Sequence, residues 1–460
     1  MKANDSSDLN RRNFLKGGSA ATFMMLMGGV PIHAAEEKPA GDKGADETHY
    51  KGEAPPLKFG VIGCGLWARE MLKTLAVMPN AHVVALCDTY GPYLKRASDL
   101  APKAQKFNDC AKLLEEKDVQ AVIVATPSHQ HKDIVLAALK AGKHVYCEAP
   151  LATTIEDARA IAQAAKAHPK LNFQVGLQGR SDKQLYNLCN FVRTGVLGRP
   201  LKARSQFHKK MSWRLTSPNP DREKEINWRL ARETSLGLVG ELGVHQVDVA
   251  NWYLMGQPVA VTGFGTLVSW KDGRDVPDNV MAVFEYPGGM LFNFESTVGN
   301  SFDAEMNMYY GSDCAIMLRE RRAWMFKEVD APLLGWEVYA KKDAFYKESG
   351  IALGAGQSKQ DAQSKKATDA VDEKSQLQYA LEAFHVNSAR HAEAIEDYNS
   401  TYDPNDLKAL QEYLAGLEKK RLAAAGYAEG YEAAVCVIKA NEAVVKGQRI
   451  TFQKEWFNLG

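Results

Sequence analysis

Charge of one sign is missing from this sequence. Lysines and arginines number 57 against 56 aspartates and glutamates, a formal net charge of +1 over 460 residues. That balance gives no electrostatic footprint for nucleic acid or an anionic membrane as a partner. Clustered cysteine is missing too. The seven cysteines, at 64, 87, 110, 147, 189, 314 and 436, form no CxxC pair and no Cys/His group. A zinc site and a disulfide framework are therefore not expected, and no metal is assigned. Several lie in apolar runs such as VVALCD and HVYCEAP, where cysteine behaves as a small hydrophobe. No internal repeat is visible. What is present is ordinary, with 45% apolar and 25% charged residues, the composition of a globular chain of two or three domains.

The first residues stand apart. Arg11 and Arg12 precede Phe14, Leu15 and Lys16, an apolar stretch at 20–32 follows, and Ala34 and Ala35 close the segment. That order of charged, apolar and small residues is the layout of a secretory signal, and the apolar stretch is too short to span a bilayer. The paired arginines resemble the twin-arginine class, with Asn10 where serine or threonine is usual. The expectation is an export signal at 1–35, a periplasmic location and no stable membrane insertion after processing. Residues 36–56, polar with glycine and proline, read as a linker.

LKFGVIGCGLWAREMLKTLAVMPNAHVVALCD opens a dinucleotide-binding domain assigned to 57–178. An apolar strand turns through Gly63-Cys64-Gly65 into a helix around Leu66–Ala76, and a second strand ends at Asp88. The first glycine permits the tight turn, the second lets backbone approach a pyrophosphate, and Ala68 packs helix on strand. The helix N-terminus, with Leu66 and Trp67, faces the phosphates. Asp88 can accept hydrogen bonds from the adenosine ribose, which favours NAD over NADP, although Lys95 or Arg96 could reach a 2′-phosphate. Unbroken apolar runs at VQAVIVATP, KHVYCEAP and LNFQVGLQ continue a parallel sheet covered on both faces. The turn Glu148-Ala149-Pro150 follows the strand HVYC, and Thr153 or Thr154 can cap the helix near Ile155. Strand carboxyl ends are where such sheets put their chemistry, yet Ala149 brings no functional group.

Residues 179–460 read as an α+β domain. Alternating runs separated by glycine, proline, aspartate and asparagine predict a mostly antiparallel sheet, with a hairpin turn at Pro287-Gly288-Gly289. Residues 352–376 are polar and read as an exposed insertion, and helical spacing returns in three C-terminal segments. The fold expected is a Rossmann sheet followed by a larger domain of antiparallel sheet and helices.

GELGVHQVDVANW carries Glu241, His245 and Asp248 at spacings of four and three. On one helix they would share a face, the acid orienting the imidazole and the imidazole exchanging a proton with a substrate hydroxyl.

GVIGCGLWA, ALCD, VATPSHQHKDIVLAALKAGKHVYCEAPLA, VGLQGR and GELGVHQVDVANW together resemble the Gfo/Idh/MocA oxidoreductases, over about residues 57–320. That resemblance implies an NAD(P)-dependent oxidoreductase acting on a small carbohydrate or polyol. It implies His245 in proton transfer, and a homo-oligomer formed through the second-domain sheet. It sets Thr126, His129, His131 and Glu148 against the cofactor. Members usually carry an aspartate where Glu241 stands. Their turn reads Glu-Lys-Pro, with a lysine that helps place and protonate the reacting oxygen. Here the lysine is Ala149, and Arg180, His208, Lys209 and Lys210 are the candidates to replace it, Arg180, His208, Lys209 and Asp248 being taken as substrate-binding. Outside the cytoplasm no free nicotinamide pool exists, so the cofactor, NAD or NADP, is expected to be tightly bound. Two alternatives remain open: redox-neutral sugar chemistry through a transient ketone, as in an NAD-dependent glycosidase or epimerase, and a non-catalytic binding protein.

Overall fold

A strand with no polar alternation must be covered on both faces, and the run beginning at Leu57 meets that requirement. The computed structural model describes residues 54–319, 322–333, 350–353, 374–417 and 421–460. The export signal at 1–35, nearly all of the linker and most of the polar insertion at 352–376 lie outside the described residues.

The first sheet contains β1 (Leu57–Ile62), β2 (Ala81–Cys87), β3 (Gln105–Phe107), β4 (Ala121–Val124), β5 (His144–Cys147) and β6 (Phe173–Val175) in the order β3-β2-β1-β4-β5-β6. Each described pairing in it is parallel. Its helices are α1 (Leu66–Ala76), α2 (Gly91–Leu100), α3 (Cys110–Glu115), α4 (His131–Lys140) and α5 (Ile155–Ala167). The start of α5 follows from its cap, Thr154 Oγ1 accepting the Asp157 N–H at 3.1 Å.

After α6 (Lys183–Phe191) the chain enters β7 (Pro200–His208). A long crossing loop follows, containing α7 (Pro220–Ile226) and a single 3₁₀ turn at Trp228–Leu230, and leads to α8 (Gly237–Glu241) and α9 (Val244–Leu254). The second sheet adds β8 (Ala260–Thr266), β9 (Asn279–Glu285), β10 (Leu291–Thr297), β11 (Glu305–Gly311), β12 (Cys314–Arg319), β13 (Arg322–Lys327) and β14 (Gly350–Leu353). Helices α10 (Gln376–Thr401), α11 (Leu407–Leu417) and α12 (Tyr427–Lys446) precede the short β15 (Ile450–Thr451). Its order is β14-β13-β12-β11-β7-β10-β9-β8-β15, antiparallel except where β7 meets β10. The hairpin between β9 and β10 turns through Pro287–Gly289, with Gly288 and Gly289 at φ of 82° and 84°, values that favour glycine.

The C-terminal helices bind both halves together. Leu377, Ala380, Leu381 and Phe384 of α10 complete the buried cluster that contains Phe59, Val61, Ile123 and Tyr146 of the first sheet. The Phe384 ring lies 5.6 Å from that of Tyr146, and Gln174 of β6 donates to the Ala380 carbonyl at 2.8 Å. Helix α12 supplies much of a second, larger cluster, which runs from the first sheet and α5 to the second sheet.

Candidate active site

The cradle after β1 is built by the absence of side chains. Gly63 takes φ of 86°, and a Cβ there would lie 2.7 Å from the Ala125 and Thr126 backbone at the end of β4. Gly65 caps α1 without any side chain, and a Cβ on it would meet open space. The free N–H groups of that helix start therefore face a gap, as a pyrophosphate requires. Leu66 and Trp67 are exposed beside it, at 59% and 41%. Asp88 closes the far end. Its two oxygens accept the N–H groups of Cys64 and Tyr90, each at 2.7 Å. Burial raises its pKa, and those two N–H groups and Arg222 oppose the rise.

At the ends of β4 and β5 the polar atoms are poorly satisfied. Thr126 Oγ1, His129 Nδ1 and Glu148 Oε1 are buried with no hydrogen-bond partner among the described residues. Orphans also occur elsewhere among the described residues, Gln246, Asn307 and Tyr309 included. These three, however, follow the ends of neighbouring parallel strands, where an open sheet takes its ligand, and suit a polar ligand such as a nicotinamide riboside. Glu148 is packed tightly: a Cβ on Gly176 would come within 2.7 Å of its carboxylate. Burial pushes its pKa up to about 7 against the Trp67 indole, the Ala149 N–H, Tyr146 and Arg229, which favour the charged form. The Ala149–Pro150 peptide in the same turn is cis.

His131 departs from the expectation that it faces a cofactor. It is fully buried, with Nδ1 3.3 Å from the Leu151 carbonyl and Nε2 3.0 Å from that of Thr126. The ring is wedged between two strand-end turns, its single N–H donating to one of the two carbonyls. Burial pushes its pKa down to about 4. His129 differs: its ring lies 6.1 Å from that of Trp228.

Glu241, His245 and Asp248 do not share one helix face. Helix α8 ends at Glu241 and α9 begins at Val244. A Cβ on Gly243 would meet the Val239 carbonyl oxygen at 2.6 Å and the Phe294 ring at 2.7 Å, so the junction is pressed against β10. The Glu241 carboxylate turns to the first domain and its own loop. It accepts from Ser128 Oγ at 3.0 Å, the Leu236 N–H at 3.3 Å and Ser235 Oγ at 3.4 Å. It therefore does not orient His245, whose half-buried ring has no hydrogen-bond partner among the described residues. Burial alone pushes His245 down to about 4, which keeps it uncharged at neutral pH.

Asp248 is likewise not a free substrate ligand. Its oxygens take Arg180 Nε at 3.0 Å and Nη2 at 2.8 Å, in a pair whose side chains are 3% and 16% exposed. Arg180 also lies over the Trp252 ring at 5.4 Å. The expectation that Arg180 replaces the missing lysine fails on this pairing. His208 ends β7 with Nδ1 3.2 Å from the Phe302 carbonyl, and Lys209 and Lys210 are exposed beyond it.

The cation near the two acids is Arg229, which sequence reasoning missed. It stacks on Trp228 at 4.2 Å. Burial lowers its pKa, while Glu241, Glu148 and Tyr93 hold it charged. No local motif marks it. The available signal was indirect: two buried acids, Glu148 and Glu241, need a compensating cation, and the apolar turn NWRL offers one.

The comparisons with known proteins bear on the family and the fold. The family described as "Oxidoreductase family, NAD-binding Rossmann fold" matches residues 57–177, and the "GFO/IDH/MocA C-terminal domain" matches residues 187–314. Inositol 2-dehydrogenase of Salmonella typhimurium is 31% identical over 200 residues, 43% of this chain and 54% of that protein. The chain thus spans about half the length of such curated relatives. Inositol 2-dehydrogenase of Paracoccus denitrificans is 30% identical over 259 residues, 56% of this chain and 69% of the relative. Levoglucosan dehydrogenase, solved in complex with NADH, superposes with a TM-score of 0.62 at 19% identity, covering 86% of this chain and 99% of that one. That last likeness is one of fold.

Proposed function

This chain belongs to the Gfo/Idh/MocA oxidoreductase family, and from that premise we propose that it oxidises a hydroxyl of a sugar or polyol with a tightly held NAD or NADP. The observation that carries this reading is the trio of orphaned polar atoms at Thr126, His129 and Glu148, one turn beyond the glycine cradle. Gly63, Gly65, Leu66, Trp67 and Asp88 would hold the dinucleotide, and Glu148 and His129 its nicotinamide half. When bound, the nicotinamide supplies the carbon that takes hydride from the substrate.

The remaining work falls to the chain's own residues. His245, uncharged above about pH 4, accepts the hydroxyl proton as the C–H bond breaks. Arg229 provides the positive charge that Ala149 cannot, and stabilises the substrate oxygen as negative charge develops. Glu241, fixed to Ser128, keeps the second domain registered on the first.

We further propose export through the Arg11-Arg12 signal to the periplasm, with the cofactor loaded before export. Self-association through the outer face of the second sheet is supported by its exposed apolar residues. Phe264 and Met281 are register partners there, exposed at 63% and 51%, with Leu291 exposed at 43%.

The test is to denature the purified protein and assay the supernatant for nicotinamide by mass spectrometry, then to follow absorbance with a panel of inositols and aldoses. Bound dinucleotide and reduction by a sugar are expected. A protein that arrives empty and binds neither NAD nor NADP at millimolar concentration overturns the reading. Bound cofactor with no turnover on any sugar leaves a binding protein.

A further inference from the structure

The adenosine end of the cleft is closed by a residue from the second domain. The crossing loop after β7 passes over the end of β2, where the Tyr90 hydroxyl lies 3.4 Å from Ser217 Oγ. Helix α7 begins there under an Asn219 cap, its Oδ1 accepting the N–H groups of Asp221 at 3.0 Å and Arg222 at 3.3 Å. From that helix Arg222 reaches the residue that follows Asp88. Its Nη2 donates to the Thr89 carbonyl at 3.1 Å and its Nη1 to Thr89 Oγ1 at 3.3 Å. Nη1 also donates to Glu225, a carboxylate 61% exposed to solvent.

An acid at the end of the second strand faces the ribose 2′-hydroxyl, and repels a phosphate on that oxygen unless a cation stands close by. Asp88 is such an acid. The cation on its electrostatic horizon is Arg222. Lys95, loosely paired with Asp99 at 3.8 Å, is a highly exposed side chain on α2, whereas Arg222 is fixed by Thr89. The partners of Arg222 use Nη1 and one Nη2–H, which leaves Nε–H and the second Nη2–H unspent among the described residues. Two free guanidinium donors are what a phosphate takes up. The water around Glu225 screens that ion pair and leaves the arginine's charge available.

We propose that Arg222 reads the ribose 2′ position, so that this cleft accepts a 2′-phosphorylated adenine nucleotide as well as the unphosphorylated one. The proposal rests on reading the cleft as a dinucleotide site and goes beyond it by assigning cofactor choice to a residue outside the Rossmann domain. Helix α2 after β2, where such specificity is ordinarily sought, carries the exposed Lys95 and Arg96, whereas Arg222 is held on Thr89, the residue next to Asp88. Because Arg222 belongs to the same continuous segment as Arg229, the two ends of one loop would touch the two ends of one cofactor.

The test uses full-length protein stripped of nucleotide with charcoal, and calorimetric titration with 2′,5′-ADP and 5′-ADP. The wild type is expected to bind the two probes with Kd values within about tenfold of each other. Arg222→Met should weaken 2′,5′-ADP by about 10- to 100-fold, the worth of a charge-assisted contact, and change 5′-ADP by less than about threefold. Arg222→Lys, which keeps the charge and loses the fork, should recover part of the loss. Equal weakening of both probes, no change in either, or a wild type that binds 5′-ADP but not 2′,5′-ADP would each overturn the assignment. A wild type that binds neither probe nor NAD overturns the nucleotide reading itself, and is thereby told apart from a failure of Arg222 alone.

Discussion

Glu241 and Asp248 lie within one short stretch of sequence and end in opposite electrostatic settings. Asp248 meets one arginine in a fork that takes both of its oxygens. Glu241 shares one arginine, Arg229, with a second buried acid, Glu148, one oxygen of which has no partner. The first cluster is closed by its bidentate fork, with Glu429 and Glu432 as further acids around Arg180. The second has no such fork and an unfilled hydrogen-bonding capacity. The difference teaches that buried charge alone does not mark a site, because well-paired charge is structure. Polar groups left short of partners at the ends of parallel strands, beside a glycine cradle, mark a place where a ligand can complete the interior.

The comparison is tested most strongly at His245, which belongs to neither cluster. His245→Ala should lower turnover by about 10³-fold, within the range for loss of a general base, with cofactor content unchanged on mass spectrometry. Retained turnover would remove the imidazole from the chemistry. Next comes the forked pair. Asp248→Asn should destabilise the protein by about 3–5 kcal/mol in denaturant unfolding, since it strands a buried guanidinium. Replacing both partners, Arg180→Met with Asp248→Leu, should restore most of that. A double variant no better than the single one would mean that the pair is functional after all.

The second cluster should respond to pH. The Glu148 pKa is raised from 4.5 to about 7 in the folded chain, so folding favours its protonated form. The nucleotide-free protein therefore loses stability as pH rises from about 4.5 through 7, and the full cost, about 3 kcal/mol, is present above that. Glu148→Gln should stabilise the empty protein at pH 8 by up to that amount and leave it unchanged at pH 4. Equal effects at both pH values would place the proton elsewhere. The smallest effects concern Ala149. Arg229→Met should slow turnover about 100-fold through loss of oxyanion stabilisation. Ala149→Lys alone should change it by less than about threefold. Combined with Arg229→Met, Ala149→Lys should recover at least about tenfold. A large gain from Ala149→Lys alone would mean that the charge had been lost rather than relocated.

Local chemistry explains what was legible in the sequence. The turn at Gly63-Cys64-Gly65, the helix Leu66–Ala76, the Thr154 cap and the glycine hairpin are each decided by a few neighbouring residues, and they stand where the chain predicts. The second sheet was legible from its alternation. The site was legible only as a set of residue types. The spacing of Glu241 and His245 predicts one helix face, but close packing of Gly243 on Phe294 divides the helix, a tertiary effect with no local sign. His129 and His131 look equivalent as neighbours in one loop, and only the fold distinguishes the ring with an unpartnered Nδ1 from the one wedged between two carbonyls. Arg222 and Arg229 reach the cleft on a long loop from the other domain, a contact that periodicity cannot report.

Helix α10 has a consequence for biosynthesis. It covers part of one face of the nucleotide-binding sheet, with Leu377, Ala380, Leu381 and Phe384 set against Phe59 and Tyr146. A ribosome delivers β1 some three hundred residues before that cover. During that interval the sheet can pair its strands and pack Ala68, Met71, Leu72 and Leu75 of α1 on this face, but the part that α10 covers stays open. Domain-by-domain folding during synthesis therefore leaves the first domain one helix short: a nascent chain halted before Gln376 lacks the side chains of Leu377, Leu381 and Phe384 that complete its core.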